Sequence, residues 1–134
     1  MAQMSLKERF WNRFTGKDVD MTPSGCTTSY GVEAFMDACG YARPLADTDP
    51  VAMTELAYAG HKYGKFEWVK AMGWDIVGLS EAFGCPLGTP QKGIQYSIYG
   101  HPYADGIENL HFPDDFLERG RFPMFKEHFR LLKE

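Results

Sequence analysis

An α/β fold is what the sequence predicts, and three observations predict it. Apolar residues recur at helical spacing in stretches closed by glycine: Leu6, Phe10 and Phe14 before Gly16, and Met53, Leu56 and Ala57 before Gly64. The apolar stretch 66–85 is rich in residues that suit a sheet and is cut at Gly73, Gly78 and Gly84. The run Ile94 to Tyr99 alternates apolar and polar side chains, as a half-buried strand does. The stretch 66–85 is the expected centre of the arrangement.

Composition narrows the function classes. A chain of 134 residues suffices for one domain with a core, and 44% hydrophobic with 15% aromatic residues marks it as globular. The formal net charge of -4 argues against a nucleic-acid surface, which is usually basic. No apolar run reaches the roughly 18 residues that span a membrane, and the N-terminus lacks a signal-peptide core. Cys26, Cys39 and Cys85 are odd in number and unclustered, which suits free thiols and a cytoplasmic protein.

Taken in order, Ser5-Leu6-Lys7-Glu8 is a capping box opening a helix that stops at Gly16. Pro23 follows a polar turn, and 24–28 reads as a short strand of small and hydroxyl residues. Such a strand leaves room beside it for a ligand or for a close neighbouring element. Val32, Phe35, Met36 and Cys39 give a second helix ending at Gly40. Asp49-Pro50 starts a third, with Asp49 as N-cap, and His61 at the edge of its face reads as a packed, hydrogen-bonded histidine. Strands are expected within 66–85, from Phe83 to Leu87 and over 94–99. Pro113-Asp114-Asp115 opens a short helix, and its adjacent acids read as a solvated cap rather than a metal pair. Phe125, His128, Phe129 and Leu132 stripe a last helix.

Two carboxylates, Asp75 and Glu81, stand inside the central apolar stretch, where a charge is costly unless paired or facing a wet cavity. Both are pocket candidates; the alternatives are a turn cap for Asp75 and a solvent-facing Glu81. His101, at a strand end, reads first as a turn histidine and second as a pocket residue. Phosphate-cradling glycine loops, zinc-site spacing and nucleophile motifs are all absent.

Several segments together resemble the uroporphyrinogen decarboxylase superfamily, most closely its methylcobalamin:coenzyme M methyltransferase-like branch. They are Ser5 to Phe10 with 16–23, where the family has a leading helix and a "G…VDRVP" turn; Met53 to Gly64; 66–85, with "FD…EALGC"-like spacing around Asp75, Glu81 and Gly84-Cys85; Gly100-His101-Pro102; and Phe112 to Pro123. The family's decarboxylases carry an arginine-bearing "RQAGRY"-like segment for substrate carboxylates. Here 25–31 holds no arginine, which speaks for methyl transfer.

The resemblance implies the N-terminal part of a (β/α)8 barrel with a leading helix, a single partial domain over 1–134. A whole barrel takes about 250 residues, so the barrel is incomplete in this chain. It further implies a pocket walled by Asp75, Glu81, His101 and Cys26. The methyl group would pass from a methylated corrinoid to a thiol such as coenzyme M, with a corrinoid protein as partner. The family's zinc ligands, a His-x-Cys pair and a later Cys, have no counterpart here. The chain alone is therefore expected to bind no zinc and not to be catalytically competent. It is also expected to associate with itself or with a complementary C-terminal half. The alternatives are a decarboxylase-like enzyme with another substrate and a small non-catalytic binding domain.

Overall fold

A computed structural model describes residues 3–26, 32–71, 76–89, 91–92, 94 and 96–134. The described residues contain the helices α1 (Leu6–Phe14), α2 (Glu33–Cys39), α3 (Pro50–Lys62), α4 (Ile76–Ala82) and α5 (Phe122–Leu131). Single 3-10 turns lie at Leu45–Asp47, Ile107–Asn109 and Phe116–Glu118.

The centre is α3, and the expectation that 66–85 fills this place is corrected. Asp49 caps α3 by accepting from the Ala52 N–H at 2.7 Å, and Pro50 opens its first turn. Its buried residues Ala52, Met53, Leu56, Ala57, Ala59 and Gly60 are mostly small, so neighbours approach from several sides. α2, α5 and the Leu45–Asp47 turn pack on it, and Met36, Ala46 and Phe125 complete the core. Burying Leu56 alone removes enough apolar surface to contribute roughly 2 kcal/mol. Asp49→Ala should lower stability by about 1 kcal/mol without changing the denaturant slope, which urea unfolding followed by circular dichroism checks.

The predicted helices form close to their expected bounds, except that the short helix expected from Pro113 is reduced to the 3-10 turn Phe116–Glu118. In α1, Ser5 Oγ accepts from the Glu8 N–H and Glu8 returns a carboxylate to the Ser5 N–H, a complete capping box. Its apolar stripe is only partly docked, however: Phe10 is half-buried, while Leu6 and Phe14 are exposed. The residue α1 buries is Arg9. α2 ends at Gly40 in the left-handed region, φ 78°.

The predicted strands are absent from the described residues. Residues 66–71 are irregular, and 76–82 are helical rather than extended. The cause is the glycine at 84. With φ 83° it lets its own N–H reach the Glu81 carbonyl at 2.9 Å and the Cys85 N–H reach that of Ser80 at 2.9 Å. That paired closure ends a helix, so Ser80 to Phe83 read backwards from Gly84 as a last turn. Alternation over 94–99 yields two isolated antiparallel bridges, Leu87 with Ile98 and Gln91 with Ile94, rather than a strand. Ser24 to Cys26 are irregular, and the remainder of the 24–28 expectation lies outside the described residues.

Candidate functional site

A buried polar centre is built on Arg9. Its Nε and Nη2 grip Asp20 at 2.6 and 2.9 Å, and its Nη1 donates to Glu67 Oε1 at 2.6 Å. Asp20 also accepts from the Met4 and Met21 N–H groups. The planar guanidinium fork suits this two-sided grip. Hydrogen bonding to Arg9, then to the Met4 N–H, holds the Asp20 carboxyl well below the usual range, and the same contact raises Arg9. The Glu67 Oε2 is buried and has no hydrogen-bond partner among the described residues. With its donors committed to these carboxylates, Arg9 fastens α1 to the turn at Asp20 and to residue 67. It is a brace rather than a receptor for substrate anions.

Beside this brace the Glu67 N–H donates to the Ser24 carbonyl at 2.8 Å, and the Trp68 ring lies where a Cβ on Gly25 would stand, 2.2 Å away. Of the two readings of the small residues at 24–28, the close neighbouring element is the one observed at Gly25. Cys26 follows directly and is half-buried.

Asp75 lies outside the described residues. Glu81 is half-buried and accepts from Arg121 Nε at 3.0 Å, while the Arg121 guanidinium lies 4.1 Å above the Tyr96 ring. One cation thus ties α4, the segment around residue 96 and the start of α5 together. His101 is exposed. An open groove of about 560 Å³ is lined instead by residues including Leu6, Glu55, Tyr58, His61, Lys62 and Glu67. There His61 Nδ1 lies 2.5 Å from the Phe66 carbonyl, which can only accept, so Nδ1 carries the proton. His61 is the packed histidine its spacing predicts.

Sequence reasoning misses one buried polar group, Arg9, and the partner of another, His128. Arg9 sits one residue before the aromatic stripe and reads as the solvent side of an amphipathic helix. His128 was placed on a buried stripe, but its partner Thr54, 2.8 Å from Nδ1, is 74 positions away and carries no local signal. Thr54 Oγ1 also donates to the Pro50 carbonyl at 2.7 Å, so its one proton is committed and His128 Nδ1–H is the donor between them.

Among the described residues no group of three or more His, Cys, Asp or Glu is placed to share a metal ion. Cys39 lies near the Met36 and Tyr41 carbonyls at 3.7 and 3.6 Å, the environment of a packed thiol. The donor set for a zinc ion is therefore not assembled by these residues. No helix among them is long and apolar enough to cross a membrane.

The described residues thus show a leading helix braced to the segment before α4 and helices packed around α3. The uroporphyrinogen decarboxylase (URO-D) family profile matches residues 5–134, and the chain belongs to that family. It is 32% identical over 134 residues to the methylcobamide:CoM methyltransferase MtaA of Methanosarcina barkeri, and 30% identical over 135 to the methylcobamide:CoM methyltransferase MtbA of Methanosarcina mazei. Each comparison takes in 100% of this chain and 39% of the relative. A solved methyltransferase structure from Methanosarcina mazei superposes on 98% of the chain with a TM-score of 0.87 at 34% identity, again covering 39% of that protein. The chain thus spans about two fifths of the length of these relatives.

Proposed function

We propose that this chain is the N-terminal part of a corrinoid-dependent methyltransferase, a partial (β/α)8 barrel that serves methyl transfer from a methylated corrinoid to a small thiol such as coenzyme M. What supports the reading is the end-to-end likeness to methylcobamide:CoM methyltransferases, together with backbone similarity to a solved methyltransferase. The absence of an arginine from 25–31 agrees with it, since a multiply anionic porphyrinogen needs cations there. In this proposal Asp75, Glu81, His101 and Cys26 are polar walls of the transfer pocket, and a corrinoid protein docks against the completed barrel. Zinc, implied for the complete enzyme, takes its ligands from elsewhere. It would hold the acceptor thiol as thiolate.

A chimera tests the proposal. Residues 5–134 are grafted in place of the matching 39% of the Methanosarcina mazei methyltransferase, and methyl transfer from methylcobalamin to coenzyme M is followed by the cobalt–methyl absorbance. A folded, active chimera is expected, and a folded chimera without transfer refutes the proposal. Within it, Asp75→Ala should depress turnover on the order of tenfold or more while melting stays put, the effect of losing a charged hydrogen bond at the pocket. If Asp75 instead caps a turn, about 1 kcal/mol of stability goes and turnover survives.

A further inference from the structure

We infer that Trp68 is the floor of the transfer pocket and restricts it to a short thiol, an inference that rests on the methyltransferase reading above. The fused edge of its indole lies over Gly25: Cε2, Cζ2 and Cδ2 are 2.2, 2.4 and 2.5 Å from where a Cβ on that glycine would stand. Ring and glycine are therefore matched, since any side chain at 25 would push the indole aside. On α1, Phe10 meets the ring edge-on at 5.4 Å and holds it from the other side. Val69, the next residue, packs against the core around α3, whereas the Trp68 ring turns to Gly25. Ser24 and Gly25 are exposed and Trp68 and Cys26 half-buried, so this corner borders open space rather than the helical core.

The order of residues sets the level of the ring. The Glu67 N–H bond to the Ser24 carbonyl at 2.8 Å puts 67 level with 24, and hence Trp68 with Gly25. In a (β/α)8 barrel the chemistry sits at the C-terminal ends of the strands, the end each strand reaches as its residue numbers rise. Cys26 and Asp75, the proposed walls, follow Gly25 and Trp68 on their respective segments, so the indole lies below them. A bulky ring backed by Phe10 shortens the cavity above it. A thiol of two carbons fits there, and each further methylene meets the indole in a site with no slack to absorb it. Truncating the ring opens that space to a longer chain.

The chimera tests the inference with mercaptoalkanesulfonates of two, three and four carbons, coenzyme M being the shortest. With Trp68 in place, kcat/KM should fall with each added methylene. Trp68→Ala should raise the four-carbon to two-carbon ratio of kcat/KM about tenfold or more, the discrimination that a methylene or two supplies in an apolar pocket. Dissociation constants from calorimetry, measured without the methyl donor, should shift in the same sense. Trp68→Phe keeps an aromatic contact for Phe10 and should fall between the two; it decides the matter if Trp68→Ala does not fold. A folded variant that slows all three thiols alike, with the ratio unchanged, overturns the inference and leaves the indole a packing residue. A wild-type chimera that folds but transfers no methyl group refutes the methyltransferase reading itself, and this inference with it.

Discussion

Arg9→Met is expected to lower the melting temperature on the order of 10 °C or more, because it leaves two carboxylates facing one another with their shared cation gone. Asp20 and Glu67 have side chains only 15% and 9% exposed, so water replaces the guanidinium poorly. Arg9→Lys restores the charge but not the fork and should recover only part of the loss. Adding Asp20→Asn and Glu67→Gln to Arg9→Met removes the stranded charges and should also recover part of it. Thermal melts by circular dichroism at neutral pH rank the variants. If Arg9→Met melts with the wild type, the brace contributes little to the fold.

Acid should cost this protein stability in two separate windows, the first owed to His128. The ring is fully buried, and desolvation lowers its pKa from 6.5 to about 4. The folded state thus holds it neutral where the unfolded chain would protonate it. Its stabilising effect is complete above about pH 6.5 and is lost as pH falls towards 4, a total of about 3 kcal/mol. Asp20 is also depressed, but against an unfolded value near 3.8, so its stabilising effect is lost only below that pH. His128→Asn keeps a donor for Thr54 and cannot titrate. Urea unfolding across pH 6.5 to 4 should show a slope that flattens in this variant. An unchanged slope would assign the acid sensitivity to another group.

The helices were legible wherever a local signal sets them. The Ser5–Glu8 box, Asp49-Pro50 and Gly40 each act within a turn of their own position, and α1, α2 and α3 begin or end there. The stretch 66–85 misled because apolar content and scattered glycines suit a buried strand and a short buried helix alike. The deciding residue was Gly84, whose left-handed conformation closes α4. At the candidate site, His61 was readable from its place one turn past Ala57. Arg9 with Glu67, 58 positions apart, and Glu81 with Arg121, 40 apart, were not readable. Such pairs depend on where the chain returns in space, and no periodicity encodes that.

The placement of α3 has a consequence for synthesis. As the chain emerges from the ribosome, the segments for α2, the Leu45–Asp47 turn and α3 appear well before α5, and these are close enough in sequence to collapse as they appear. The last wall of the core, Phe125 and His128 on α5, arrives some seventy residues behind Thr54. At about 5–20 residues per second, Met53 and Leu56 wait several seconds for their cover. Through that interval the nascent chain leaves the buried face of α3 partly uncovered, the form in which a holding chaperone finds its clients.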